Sequence, residues 1–313
     1  MSVRHAVQSL AVAVFATVVL LPRPAAADAW VLAPGEYFSE FRGSFFSSDT
    51  YFDQDGGRPA PDASILVHVW GASLRLPRSR AHRVEERELR SITELGWKKG
   101  MSFLFQVPLT SVTVLPSTNS RLPGRLNNGF LPTQTGLSDA LIGFKYQLKD
   151  GSTAAALEAD WKAPLAYDRE LFPALGDGQQ DIGGVLHLGA ALDRLNTFLE
   201  VSGGYLYRFE TPPDEVRGLV DLGSWLGPSV LVSGHYEYFT TVGADTPLEE
   251  SSAHIVGPQV IYRVDDHLDV VVGSRHTWIG DNVRHIDRYH VGFAYKLTKL
   301  NRLQGFLGNK RRS

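Results

Sequence analysis

Along this chain, apolar and polar residues alternate with a period of two, in segments of about ten residues separated by turn chemistry. Twelve such segments can be drawn: 36–46, 87–97, 101–111, 139–148, 154–165, 181–192, 198–209, 215–226, 230–239, 255–264, 268–278 and 287–297. One parity is apolar. It reads Phe103, Phe105, Val107, Leu109 in the third segment and Leu186, Leu188, Ala190, Leu192 in the sixth. It reads Val201, Tyr205, Tyr207, Phe209 in the seventh and Val291, Phe293, Tyr295, Leu297 in the last. The opposite parity carries 23 charges: Glu36, Glu40, Arg42, Glu88, Arg90, Glu94, Asp139, Lys145, Glu158, Asp160, Lys162, Asp181, Glu200, Arg208, Glu215, Arg217, Asp221, Glu237, Arg263, Asp269, Arg275, Arg288 and Lys296. Asp287, at the rim of the last segment, stands on the apolar parity. Successive strand residues face opposite sides of a sheet, so the pattern predicts strands with one apolar and one charged face.

A soluble sandwich also has two such faces. Three features favour a membrane barrel. The segments are near the 9–11 residues a tilted strand needs to cross the hydrocarbon. The connections alternate: "KKG" (98–100), "KDG" (149–151), "DRLN" (193–196), "GPS" (227–229) and "DDH" (265–267) are tight, and the intervening ones are mostly longer. An even strand number then puts both termini on the short-turn, periplasmic side. Finally, the N-terminus reads as an export signal: Arg4 and His5, the apolar run 6–21, then "PRPAAADA" with small residues spaced for cleavage after Ala27. The charged parity must then look into a lumen. A Lys or Arg on the lipid face costs about 2–4 kcal/mol at the bilayer midplane. A fold with about 5–15 kcal/mol of net stability cannot carry 23 such costs.

Composition sharpens the picture. Beyond residue 27 there are 29 Lys+Arg against 34 Asp+Glu, a net charge of −5. No extended basic face is available for nucleic acid. The chain has no cysteine, so there is no disulfide framework, thiolate metal site or lipidated cysteine. Tyr37, Trp97, Trp161, Tyr207, Phe209, Trp278 and Tyr295 lie near segment ends, as the aromatic girdles of a membrane barrel do.

Other motifs carry less. "DQDGG" (53–57) lacks the third acidic position and the bidentate glutamate of a calcium loop, and reads as a turn. His276, His285 and His290 gather with Asp281 and Asp287 near the last hairpin, without a spacing that fixes a metal ligand set. A lipid-cleaving barrel would need a serine beside a histidine on the outer wall, which on a strand implies His-x-Ser; none of the ten histidines is followed by a serine at that spacing. No catalytic residue, metal or cofactor is therefore expected. Pro258 falls within the tenth segment and predicts a bulge there. His276, on the apolar parity, is expected at the membrane interface.

"GLSDALIGFKYQL" (136–148), "GDGQQDIGGVLHLG" (176–189), "GGYLYRFETPPDEVRGLVDLG" (203–223) and "TELGWKKGMSFLFQVPL" (93–109) together resemble the outer-membrane transporter family named for the meta-pathway of phenol degradation. The resemblance covers roughly 36–297. It implies an outer-membrane β-barrel that passes small, often aromatic or hydrophobic, compounds, and carries over no binding residue.

The expected protein is thus all-β: a signal peptide (1–27), a monomeric twelve-stranded antiparallel transmembrane β-barrel (28–297) and a basic periplasmic tail (298–313). Its expected role is a channel for small molecules. Rivals are a plugged structural or adhesive barrel and a barrel hydrolase. Partners are outer-membrane lipid, the solute and the barrel-assembly machinery. The residues expected to line the pore are Glu40, Arg42, Lys145, Glu158, Asp160, Lys162, Glu200, Arg208, Arg217, Asp221, Glu237 and Arg275, with opposed acidic and basic groups setting a transverse field. Twelve strands lie between a side-chain-filled and an open barrel, so a narrow channel is expected. Loop 47–86, with its apolar "SILVHVWGASL" (64–74), is its expected lid.

Overall fold

The computed structural model describes residues 28–52, 66–69, 72–75, 83–115, 133–165, 167, 173, 175–176, 178–192, 195–209, 213–244 and 249–297. The signal peptide, the tail and most of loop 47–86 lie outside the described residues.

Twelve long strands follow one another: β1 (Tyr37–Ser48), β2 (Arg83–Lys98), β3 (Met101–Leu115), β4 (Asp139–Lys149), β5 (Thr153–Pro164), β6 (Asp181–Leu192), β7 (Thr197–Arg208), β8 (Asp214–Trp225), β9 (Val230–Val242), β10 (Ser252–Arg263), β11 (Leu268–Asp281) and β12 (Asp287–Leu297). Each pairs antiparallel with its sequence neighbours, and β12 pairs with β1 from Tyr37↔Leu297 to Phe46↔Arg288. That last ladder closes the sheet, so no strand edge is left unpaired in the wall. A short strand, Thr133–Leu137, continues β4 outward along β3. The join is at Ser138, whose N–H reaches the carbonyl of Pro108 at 3.1 Å.

The short turns gather at the end where both described termini lie. Gly100 (φ +72°) and Gly151 (φ +122°) supply the left-handed backbone that two of these turns require. In the β10–β11 turn, Asp265 accepts from the N–H groups of His267 (2.7 Å) and Leu268 (2.9 Å), which holds its carboxyl below the usual range.

The two faces separate as the alternation predicts. Outward-facing Phe41, Leu89, Phe105, Ile142, Leu186, Tyr205, Val260, Val272 and Phe293 are all exposed. Inward-facing Glu40, Glu94, Lys145, Asp181, Glu200, Glu215 and Asp269 are all buried. Charges on the outer face stand near strand ends. On the long-loop side these are Arg83, Glu85 and Arg87 at the start of β2, Asp214 at the start of β8, Asp281 at the end of β11 and Asp287 at the start of β12. On the short-turn side they are Lys98 and Lys149, past register shifts. There the cost of a charge falls to about 0–1 kcal/mol. Arg87 is the outward charge that the segregation of the 23 does not cover.

The irregularity expected at Pro258 is displaced. The register between β10 and β11 shifts between His254 and Ile255, and pairing lapses at Gly257–Pro258. A Cβ on Gly257 would meet the carbonyl oxygen of Ser274 at 1.8 Å, so only glycine permits that approach. β1 and β2 extend into the expected loop 47–86, to Ser48 and from Arg83. The described residues between them include Tyr51–Phe52, paired with Val283–Arg284, and a separate hairpin of Leu66–Val69 with Ala72–Arg75.

Val272→Arg, at the middle of the outer wall, is expected to lower unfolding free energy in a lipid environment by about 2–4 kcal/mol, and Arg87→Leu at the rim to change it by less than about 1 kcal/mol. Denaturant unfolding in vesicles reads both.

Candidate functional site

The lumen holds three zones, from the short-turn end to the long-loop mouth. At the short-turn end, the segment before β1 turns into the barrel. The indole N–H of Trp30 donates to the carbonyl of Gly151 at 2.9 Å. The Gln147 side chain clamps the same segment from both sides: its Oε1 accepts from Val31 N at 2.6 Å and its Nε2 donates to the Ala29 carbonyl at 2.7 Å. Gly35 N and Gly96 O close the segment against β2 at 2.9 Å.

Small residues make room for it. Ala29 and Trp30 pack with Ala154 and Ala191 in one buried cluster. A Cβ on Gly189 would fall 2.4 Å from the Trp30 ring. The inward residues nearest the turn, Ala154 on β5 and Gly189 and Ala191 on β6, are therefore small because an indole fills the space they leave.

The middle zone is ionic. Lys145, 1% exposed, reaches Asp28 (2.8 Å), Glu94 (3.4 Å) and Glu158 (3.5 Å). His187 stands between Glu158 (3.1 Å, from Nε2) and Glu200 (3.3 Å, from Nδ1). An imidazolium, with a proton on each nitrogen, donates to both. Toward the mouth, Lys162 meets Asp181 (2.5 Å) and Asp139 (4.0 Å). Arg208 meets Glu215 (2.7 Å) and Asp181 (4.0 Å), and Glu215 also binds Arg217. On the next strand His235 holds Asp221 (2.8 Å) and Glu237 (3.6 Å).

The opposite wall is richer in arginine. Arg42 and Arg90 face each other across the β1–β2 ladder. Each is neutralised within its own strand, by Glu40 at 2.6 Å and Glu88 at 2.9 Å. Arg288 crosses β1 to Glu86 at 2.8 Å, passing over the Phe46 ring. Arg275 donates to the Ser274 carbonyl (3.1 Å) and, among the described residues, has no carboxylate within ion-pairing distance. Asp160 likewise forms no ion pair among them, and its Oδ1 is buried without a hydrogen-bond partner.

The long-loop mouth is apolar. Inward-facing Phe46, Val84, Val112 and Val114 form a buried cluster with Leu175, and Tyr167 and Ile286 pack against it. Leu175 and Tyr167 belong to the β5–β6 connection, which therefore folds into the mouth. The Tyr167 hydroxyl donates to Asp139 at 2.5 Å and fixes that fold. Most of loop 47–86, the expected lid, lies outside the described residues; among those described, Leu175 and Tyr167 of the β5–β6 connection and Ile286 of the β11–β12 connection pack at the mouth.

With the barrel and its contents placed, comparison with known proteins decides the family. The family model described as "Putative MetA-pathway of phenol degradation" matches residues 87–284, well over half of the chain. The chain belongs to this family. No curated protein matches it. Among solved structures, an outer membrane channel from Pseudomonas putida F1 is similar with a TM-score of 0.64 at 10% identity, covering 88% of this chain and all of that one. The NanC porin (TM-score 0.47, 9% identity, 83% of this chain and 100% of the other) and the CymD monoaromatic hydrocarbon channel (0.45, 8%, 86% and 90%) are more distant. At such identities the first likeness is one of fold, and the other two add nothing to it.

Within this phenol-degradation family barrel, sequence parity missed three contributors. His187 lies on the inward parity of β6 and could have been counted with the charges. The Ala/Gly runs of β5 and β6 signalled a filled space without saying by what. Nothing local announced that residues 28–35 fill it, because the partners of Ala29, Trp30 and Val31 lie more than a hundred residues away.

Lys145→Met leaves Asp28, Glu94 and Glu158 facing one another without their shared cation. It is expected to destabilise the barrel by about 3–5 kcal/mol, read as a lowered denaturant midpoint.

Proposed function

We propose that this chain is an outer-membrane channel for small molecules, stoppered at its periplasmic end by its own N-terminal segment. The observation that supports it most is the seating of Trp30 and residues 28–35 inside a closed barrel whose ionised groups face inward. The family's description, a pathway of phenol degradation, agrees with a mouth of Phe46, Val112, Val114, Leu175 and Tyr167 that suits an aromatic or apolar solute body. Below that mouth, the carboxylates of β5–β7 (Glu158, Asp160, Glu200) face the arginines of β11, β12, β1 and β2 across the barrel. A polar end group on the solute would be oriented in that field.

The signal peptide 1–27 belongs to this reading. Cleavage after Ala27 leaves the α-ammonium of Asp28 in a pocket where carboxylates outnumber cations. The tail 298–313 follows the last strand on the same, periplasmic, side. In this reading the barrel is a monomer, assembled by the barrel-assembly machinery and held in outer-membrane lipid.

A second reading is a barrel plugged for good, favoured by the same stopper and by the many ion pairs in the lumen. Planar-bilayer recording separates the two. Trp30→Ala and Gly189→Val both unseat the stopper and are expected to raise single-channel conductance at least severalfold over the parent; closed channels in both variants contradict the channel reading. Neutralising Glu158 and Asp160 together (Glu158→Gln, Asp160→Asn) is expected to move ion selectivity toward anions. An unchanged reversal potential in a salt gradient would count against a selectivity role for these residues.

A further inference from the structure

The outer wall carries one polar constellation that a channel does not use. Ser274 and His276 are two residues apart on β11 and share its outward face. Ser274 Oγ lies 2.9 Å from His276 Nε2, and His276 Nδ1 lies 2.8 Å from Oδ1 of Asp287. Asp287 faces His276 directly across the β11–β12 ladder. An ionised carboxylate only accepts, so the imidazole proton sits on Nδ1 and the Nε2 lone pair receives the serine hydroxyl. Tyr289, opposite Ser274 in the ladder, meets the imidazole edge-on at 5.7 Å and limits its rotation. A hydroxyl, a base and a carboxylate that orients the base, at these distances, are the parts of an acyl-transfer relay. Their chain order is Ser-x-His, the reverse of the His-x-Ser whose absence counted against a hydrolase. The geometry is indifferent to that order.

We propose that Ser274, His276 and Asp287 form a serine acyl-hydrolase site on the lipid-facing wall, acting on the acyl esters of glycerophospholipids. Two placements set that substrate class. The three side chains point away from the lumen, on a face whose neighbours Val272, Trp278 and Val291 are exposed apolar residues, so the substrate comes from the bilayer. They also lie in the long-loop half of the wall: Asp287 is the first residue of β12, and His276 is its ladder partner. Ser274 is two residues deeper on β11, next to Val272 on the same face, so the ester must dip below the rim to reach the hydroxyl. Ser274 is only 8% exposed, so an ester must pass Tyr289 to reach it and turnover is slow.

In the first half-reaction Ser274 Oγ attacks the ester carbonyl while its proton passes to Nε2. The ester C–O bond then breaks and His276 returns the proton to the departing lysolipid alkoxide, leaving an acyl-serine. In the second, water gives a proton to Nε2 and attacks the acyl carbon, releasing a fatty acid and restoring the hydroxyl.

The full-length protein, reconstituted in phosphatidylethanolamine–phosphatidylglycerol vesicles, tests this with a fluorophosphonate probe and with released fatty acid. The expected result is one labelled serine, abolished in Ser274→Ala, with His276→Asn and Asp287→Asn lowering labelling and fatty-acid release by about 10²-fold or more. The heat-dependent gel shift of a folded barrel must be kept in all three variants. Conductance must match the parent, which separates this site from the channel. Labelling that persists in Ser274→Ala, no labelling of the folded parent, or labelling without fatty-acid release would each overturn the proposal.

Discussion

The constraint on which the structure depends is that an ionised group cannot face hydrocarbon. A closed ladder pairs the backbone around the wall with no free edge, and leaves each side chain two choices: lipid or lumen. The chain sends Phe, Leu, Val and Tyr one way and Lys, Arg, Asp and Glu the other. The inside must then solve the problem of charges crowded into a narrow space. It does so by pairing: Glu40–Arg42 and Glu88–Arg90 within strands, Arg288–Glu86 across them, and Lys145 among three carboxylates.

Those pairs explain why like charges can stand opposite one another. Arg42 and Arg90 are ladder partners, an arrangement that destabilises a sheet unless each charge is answered close by. The glutamate two residues before each arginine lies on the same face and answers it. The same i, i+2 device joins Glu215 to Arg217. Truncating one member of such a pair leaves its partner buried and uncompensated, so the lumen is both a functional surface and a stability risk.

The fold was legible because its cause is periodic. A two-residue repeat with charges on one phase marks strand existence and strand facing together, and the β6 and β12 bounds fall where the alternation stops. The lumen's contents were less legible, because parity says which way a residue faces and not whom it meets. Lys145 could be placed inside, but its contact with Asp28 spans 117 residues. The stopper and the inward fold of Leu175 and Tyr167 likewise depend on partners outside their own hairpins. The Ser274–His276–Asp287 constellation, by contrast, is local to one hairpin and was hidden by its Ser-x-His order. Pro258 shows the same limit at finer scale: the ladder absorbs its missing N–H by lapsing at Gly257–Pro258 and shifting register at His254.

A chain without cysteine allows the central division of faces to be measured on a clean background. Single cysteines substituted in turn at 155–162 along β5 can be challenged, in vesicles, with a hydrophilic bulky thiol reagent and with a lipid-phase quencher of a thiol-attached fluorophore. The account predicts strict alternation: quenching from the bilayer at 155, 157, 159 and 161, and protection from the quencher at 156, 158, 160 and 162. Lipid-phase quenching at 158 or 160, or no alternation along the strand, would contradict it.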